Sequence, residues 1–135
     1  MSQKLPKIDL SYRVEKKDDK DIIKLNDATL FDSVAEKWAK AINRTKKTQA
    51  RNFYDQILSL EAKIKDEDFE SVYPFIKMLN SKVAYGVSRR VVSFEFQEMM
   101  NQSIDQITMN KEGEQKFKHF KLFFEAVLGF FKGSN

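Results

Sequence analysis

The chain has no cysteine, one histidine, two prolines and four glycines among its 135 residues. Without cysteine there are no disulfides and no thiolate metal sites. The scarcity of proline and glycine removes the commonest interruptions of helices. The glycines stand alone at positions 86, 113, 129 and 133, so no glycine-rich loop is available to cradle a nucleotide. No apolar run approaches the roughly 20 residues that span a bilayer. Met1 to Pro6 also lacks the apolar core of a signal peptide. The expectation is a cytoplasmic protein with no membrane partner. His119 has no cysteine or second histidine with which to build a nucleophile or metal pair, and it reads as a partly exposed helix residue. The acidic cluster Asp66, Glu67, Asp68 and Glu70 lacks the spacing and the glycine of a calcium loop, and reads as service to a helix start. These absences together predict no enzyme, no catalytic residue, no cofactor and no metal.

What is present is helical. Apolar residues make up 41% and charged residues 33% of the chain, in one domain long enough for a substantial core. Residues 1–29 alternate charges of both signs without a sustained period, and read as a partly disordered N-terminal arm pinned at Ile22, Ile23 and Leu25. From residue 30 to 135 the pattern is that of a helical bundle domain. "LFDSVAEKWAKAIN" sets Leu30, Val34, Trp38 and Ile42 at i, i+4 spacing, with Asp32 or Ser33 as cap. A second helix carries Ala50, Phe53, Tyr54, Ile57, Leu60 and Ile64. A third carries Val72, Ile76, Leu79, Val83 and Val87, and ends near "GVSRR", with Pro74 tolerable in its first turn. A fourth, about 92–108, aligns Phe96, Met99, Met100, Ser103, Ile104 and Ile107. A fifth, about 114–131, turns Phe117, Phe120, Phe124, Val127, Leu128 and Phe131 inward and leaves Phe123 and Phe130 off the stripe. With no period-two segment of useful length, the fold class is all-α: a compact bundle of about five helices.

The net charge is only +4, but it is concentrated. Residues 36–51 hold Lys37, Lys40, Arg44, Lys46, Lys47 and Arg51 against Glu36 alone, a local +5. Four of these cations crowd "RTKKTQAR" at the start of the second helix, with Thr45 or Thr48 as its cap. Cations are misplaced there, because the positive end of the helix dipole favours carboxylates. An anion would reverse the sign of that effect: free N–H groups, dipole and cations would then all point at one phosphate. A strip of cations suits a polymer of phosphates better than a small ligand. Gln49 and Asn52 beside it are placed to bond sugar or phosphate oxygens.

"KTQARNFYDQILSLE" resembles the first signature of the small helical subunit of type III-A CRISPR (Csm) effector complexes, roughly Thr-Ser-Gln-Ile-Arg-Asn-Phe followed by an amphipathic helix. Thr48, Gln49, Arg51, Asn52 and Phe53 match it, with Ala50 in place of a larger aliphatic. "FIKMLNSKVAYGVSRR" resembles the second signature, a Leu- and Lys-rich helix ending in Ala-Tyr-Ala-x-Gly-Arg; Ala84, Tyr85 and Arg89 match, with Gly86 and Ser88 as departures. "FKLFFEAVLGFFK" is similar to the family's aromatic C-terminal helix, so the likeness spans about residues 30–132. The resemblance implies a non-catalytic, RNA-binding subunit. Copies of it would stack along guide RNA and target RNA, beside other Csm subunits, and grip mainly the backbone. Carried over by position, Arg51 and Arg89 are the leading RNA-contact candidates. Arg90 adjoins them, and the charge pattern adds Lys37, Arg44, Lys46 and Lys47. Tyr85 is conceivable as a base-stacking residue, although packing is the commoner role of a tyrosine beside a core stripe.

Two other readings compete. One is a DNA-binding helical protein with the second helix as recognition helix, disfavoured by Asp55, Gln56 and Ser59 in the middle of that helix. The other is a protein-interaction bundle without nucleic acid, suggested by twelve phenylalanines and the off-stripe Phe123 and Phe130.

Overall fold

The computed structural model describes residues 4–135. A hairpin of β1 (Tyr12–Lys17) and β2 (Lys20–Leu25) precedes a π-helical turn (Leu30–Val34) and five helices. These are α1 (Ala35–Ala41), α2 (Lys47–Asp66), α3 (Phe69–Ser88), α4 (Phe94–Ile104) and α5 (Lys111–Phe130). The α2 helix packs on α3 and α5, α3 on α4, and α1 on α5. Among the described residues no helix is long and apolar enough to cross a membrane.

The helical stripes read from the sequence bury as expected. Ala50, Phe53, Ile57 and Leu60 of α2 face Val72, Ile76, Leu79 and Val83 of α3 and the phenylalanines of α5 across one continuous core. Three helices start on side-chain caps. Asp68, Ser93 and Asn110 accept bonds from the N–H groups of Ser71, Phe96 and Gly113 at 2.8, 3.1 and 2.8 Å. The bonds from Ser71 hold the Asp68 carboxyl below its ordinary value; of the acidic cluster Asp68 caps α3 and Glu70 lies in its first turn, whereas Asp66 and Glu67 fall at the C-terminal end of α2. The α3 helix starts at Phe69, so Pro74 lies in its second turn rather than its first, on an exposed face.

The N-terminal arm is where the structure departs most from expectation. The described part of it, residues 4–29, is built into the fold; residues 1–3 lie outside the described residues. Ile8 and Leu10 are buried in the core. Their backbone is satisfied by side chains from α4 and the turn that follows it. Ile8 N–H donates to Gln102 Oε1 (3.1 Å) and Leu10 N–H to Gln106 Oε1 (2.9 Å), while Gln106 Nε2 donates to the Ile8 carbonyl (2.6 Å). The indole N–H of buried Trp38 donates to the Pro6 carbonyl at 2.9 Å. His119 is buried, not partly exposed. Its Nδ1–H donates to the Leu10 carbonyl (2.9 Å), which leaves Nε2 to accept from the Gln115 amide (3.0 Å).

The hairpin corrects the expectation of no useful period-two segment. Asp18 and Asp19 adopt φ of 54° and 61°, the pair of left-handed residues that a tight two-residue hairpin turn requires. Lys17 pairs with Lys20 and Tyr12 with Leu25, and Glu15 bridges Arg13 and Lys24 at 3.3 Å each. Both faces carry charge, so apolar alternation gave no sign of these strands.

Two further corrections concern helix ends and faces. Neither Asp32 nor Ser33 caps α1; the chain enters through the π-helical turn, closed by Val34 N–H to the Thr29 carbonyl at 3.2 Å. Phe123 is fully buried, because α5 is enclosed by α1, α2 and α4 and its apolar arc is wider than one stripe. Phe130 is exposed, as read from its spacing.

Candidate nucleic-acid interface

The start of α2 is built differently from the other long helices. Neither threonine caps it. Thr45 is fully buried, its Oγ1 3.0 Å from Ser93 Oγ and accepting from Ser93 N–H at 3.1 Å, and Thr48 lies inside the first turn. The residue at the cap position is Lys46, whose side chain makes no capping bond. Main-chain carbonyls from two distant segments serve instead. Lys46 N–H donates to the Val91 carbonyl (3.2 Å) and Lys47 N–H to the Ser134 carbonyl (2.9 Å). The C-terminal residues are held there as a strap: Ser134 N–H returns to the Thr45 carbonyl (3.1 Å), Ser134 Oγ to the Arg44 carbonyl (3.1 Å), and Gly133 N–H to Asn43 Oδ1 (3.2 Å). The expected open cradle of helix-start amides is therefore largely occupied. Among the described residues only the Thr48 amide in this first turn lacks a backbone carbonyl. The partial negative charge of the two carbonyls offsets the dipole that the cations leave uncompensated.

The side chains are another matter. Lys37, Arg44, Lys46, Lys47, Arg51, Asn52, Arg89 and Arg90 are exposed and Gln49 is half-buried. Among the described residues, no carboxylate forms an ion pair with any of these cations. They are available to an outside anion.

The α2 helix divides the candidates between two grooves. Lys47 and Arg51, one turn apart, line one groove with Leu128, Phe131 and Lys132 at the end of α5 and the strap. Gln49 and Asn52 point to the other side. There they line a groove of about 410 Å³ against α3, together with Gln56, Lys82, Tyr85 and Arg89. The two signature segments thus meet in space: the Gln49 and Asn52 of one and the Tyr85 and Arg89 of the other share one wall-to-wall opening. Lys37, Arg44, Lys46 and Arg90 border neither groove and remain separate surface cations.

Tyr85 is 62% exposed, and the Arg89 guanidinium lies 5.5 Å from its ring centroid. Tyr85 is thus not part of the core of this chain. Gly86 follows it, where an added Cβ would come within 2.7 Å of Val92 Cγ2. The helix then ends as a Schellman motif: Arg90 N–H donates to Val87 (2.9 Å) and Val91 N–H to Gly86 (3.1 Å), with Arg90 itself at φ 62°. The left-handed stop falls on an arginine rather than a glycine.

Sequence reading missed Lys132, Lys82 and Gln56. Lys82 and Arg89 are two turns apart on one face of α3, a spacing that marks them as neighbours. Nothing local marks Lys132, which reaches Lys47 only through the strap.

The family model described as Csm2 Type III-A matches residues 24–135, most of the chain and both segments that meet in the groove. No curated protein and no solved structure matches the chain. By that match the chain belongs to the Csm2 family, the small subunit of the type III-A CRISPR effector complex.

Proposed function

We propose that this subunit is a non-catalytic RNA-binding protein of the cytoplasm. It grips the phosphate backbone of guide RNA and target RNA, and copies of it stack with one another beside the other Csm subunits. The observation that carries the reading is the set of exposed cations without carboxylate partners, drawn from the start of α2 and the end of α3 and ranged on both sides of α2. Such a surface favours an extended polyanion. The exposed apolar side chains Phe75, Met78, Phe94 and Phe130 supply area for packing between subunits. The DNA-binding alternative is disfavoured, because the start of α2 is strapped by Ser134 and Val91 and is not free to enter a groove end-on.

The test is a paired set of melting curves and RNA titrations at several salt concentrations. Lys47→Gln with Arg51→Gln is expected to leave stability unchanged or raised by tenths of a kcal/mol. RNA binding should weaken at every sequence, and the slope of log K against log salt should flatten by about 0.7 for each single-strand phosphate that is no longer neutralised. Lys37→Gln should do less. A double variant that melts lower yet binds RNA with unchanged affinity and slope would make these cations structural. For the non-catalytic part, the pure protein incubated with RNA and divalent metal should leave the RNA intact; cleavage that follows the protein through size exclusion overturns it.

A further inference from the structure

We infer that the groove between α2 and α3 is a binding site for a single nucleobase turned out of an RNA strand. The inference deepens the RNA-binding reading and rests on it. A phosphate grip needs only cations, yet this groove is furnished with other chemistry. Tyr85 presents most of an aromatic ring to solvent at its edge. Three amide side chains, Gln49, Asn52 and Gln56, line the opposite wall on α2. A primary amide offers a donor and an acceptor side by side, the pairing that matches the edge of a base. An exposed aromatic ring offers a stacking platform that takes any base.

The remaining side chains fit the same occupant. Lys82 Nζ donates to Gln56 Oε1 at 2.9 Å, which engages that oxygen and leaves the Gln56 NH₂ as the free donor. The Arg89 guanidinium lies over one face of the Tyr85 ring, 5.5 Å from its centroid, where it can meet the phosphate next to a base stacked on the other face. The lining carries two cations and no carboxylate, so a protein segment with a basic anchor finds no partner there. Buried Phe53 closes the floor, and the volume of about 410 Å³ lies within the range of about 300–1,000 Å³ typical of small-molecule clefts. Nucleobases of single-stranded RNA are recognised in this way, splayed out, stacked on an aromatic side chain and bonded at their edges.

The experiment compares a single-stranded RNA oligomer with a strand of the same length that lacks its bases, on the full-length protein. The unaltered protein should bind the base-bearing strand about tenfold or more tightly. Tyr85→Ala should remove most of that difference and leave the salt slope and melting temperature unchanged, because the ring is exposed and carries no charge. Tyr85→Phe should keep the difference. Arg89→Gln should flatten the slope instead. A 2-aminopurine placed in the strand should be quenched on binding, and less so with Tyr85→Ala. Equal binding of the two strands, with the salt slope intact, overturns the base site and leaves the backbone grip standing. Failure of the unaltered protein to bind either strand overturns both. Loss of association with other Csm subunits in Tyr85→Ala, with RNA binding unchanged, assigns the groove to a protein and overturns the base site.

Discussion

Arg90 stands at φ 62°, where a side chain with a Cβ is held at a cost of about 1–2 kcal/mol. Glycine at this position would relieve that cost and lose part of the gain to the extra freedom of the unfolded chain, about 0.4–1 kcal/mol. Arg90→Gly is expected to raise stability by about 0.5–1 kcal/mol, read from chemical denaturation, while weakening RNA binding if Arg90 holds a phosphate. A variant that unfolds more easily would mean that the arginine side chain supports the fold. The placement of a cation where glycine is the less strained choice parallels the lysine at the α2 cap position. At both helix ends the local preference of the backbone is overridden by a charge facing solvent.

At the scale of elements, α5 shows why a single stripe was an incomplete guide. Phe117, Phe120, Phe124 and Val127 were legible as core from their spacing, and they are buried. Phe123 was not, because periodicity reports one face, whereas this helix is covered on several. Phe123→Ala and Phe120→Ala are therefore each expected to cost about 3–5 kcal/mol. A Phe123→Ala loss below about 1 kcal/mol would return that residue to the surface. The five helices, their order and most of their buried residues were readable for the converse reason: each has one dominant apolar face and a clear break. Residues 4–10 were not readable, since their seat depends on Gln102, Gln106 and His119 far along the chain, and the hairpin was not, since charge on both of its faces hides the alternation. Of the site, the cations and the two amides on α2 were legible as charge and motif. Their division between two grooves was not, because it depends on where α3, α5 and the C-terminal strap lie.

At the scale of the molecule, the N-terminal segment is a structural part of the core. Removing residues 1–10 deletes two buried aliphatic side chains, each worth about 1.5–3 kcal/mol, and strips the Pro6 carbonyl from the single tryptophan. The shortened chain is expected to melt well below the full one and to show red-shifted Trp38 emission. Unchanged emission would mean that the segment is not seated on Trp38. The family match begins at residue 24, so the seated segment lies outside it while the residues that hold it, Trp38, Gln102, Gln106 and His119, lie within.

The same pattern of bonds bears on the order in which the protein can be completed during synthesis. Ile8 and Leu10 find their partners 94, 96 and 109 positions later, and Asn43 and Arg44 find theirs 90 positions later. Helical bundles fold quickly when their contacts are local. Here residues 8–10 wait for partners about a hundred positions later, and the α2 start, with its crowded cations, stays unstrapped until Ser134 leaves the ribosome. Until then the growing chain holds preformed helices with both of its fastenings open.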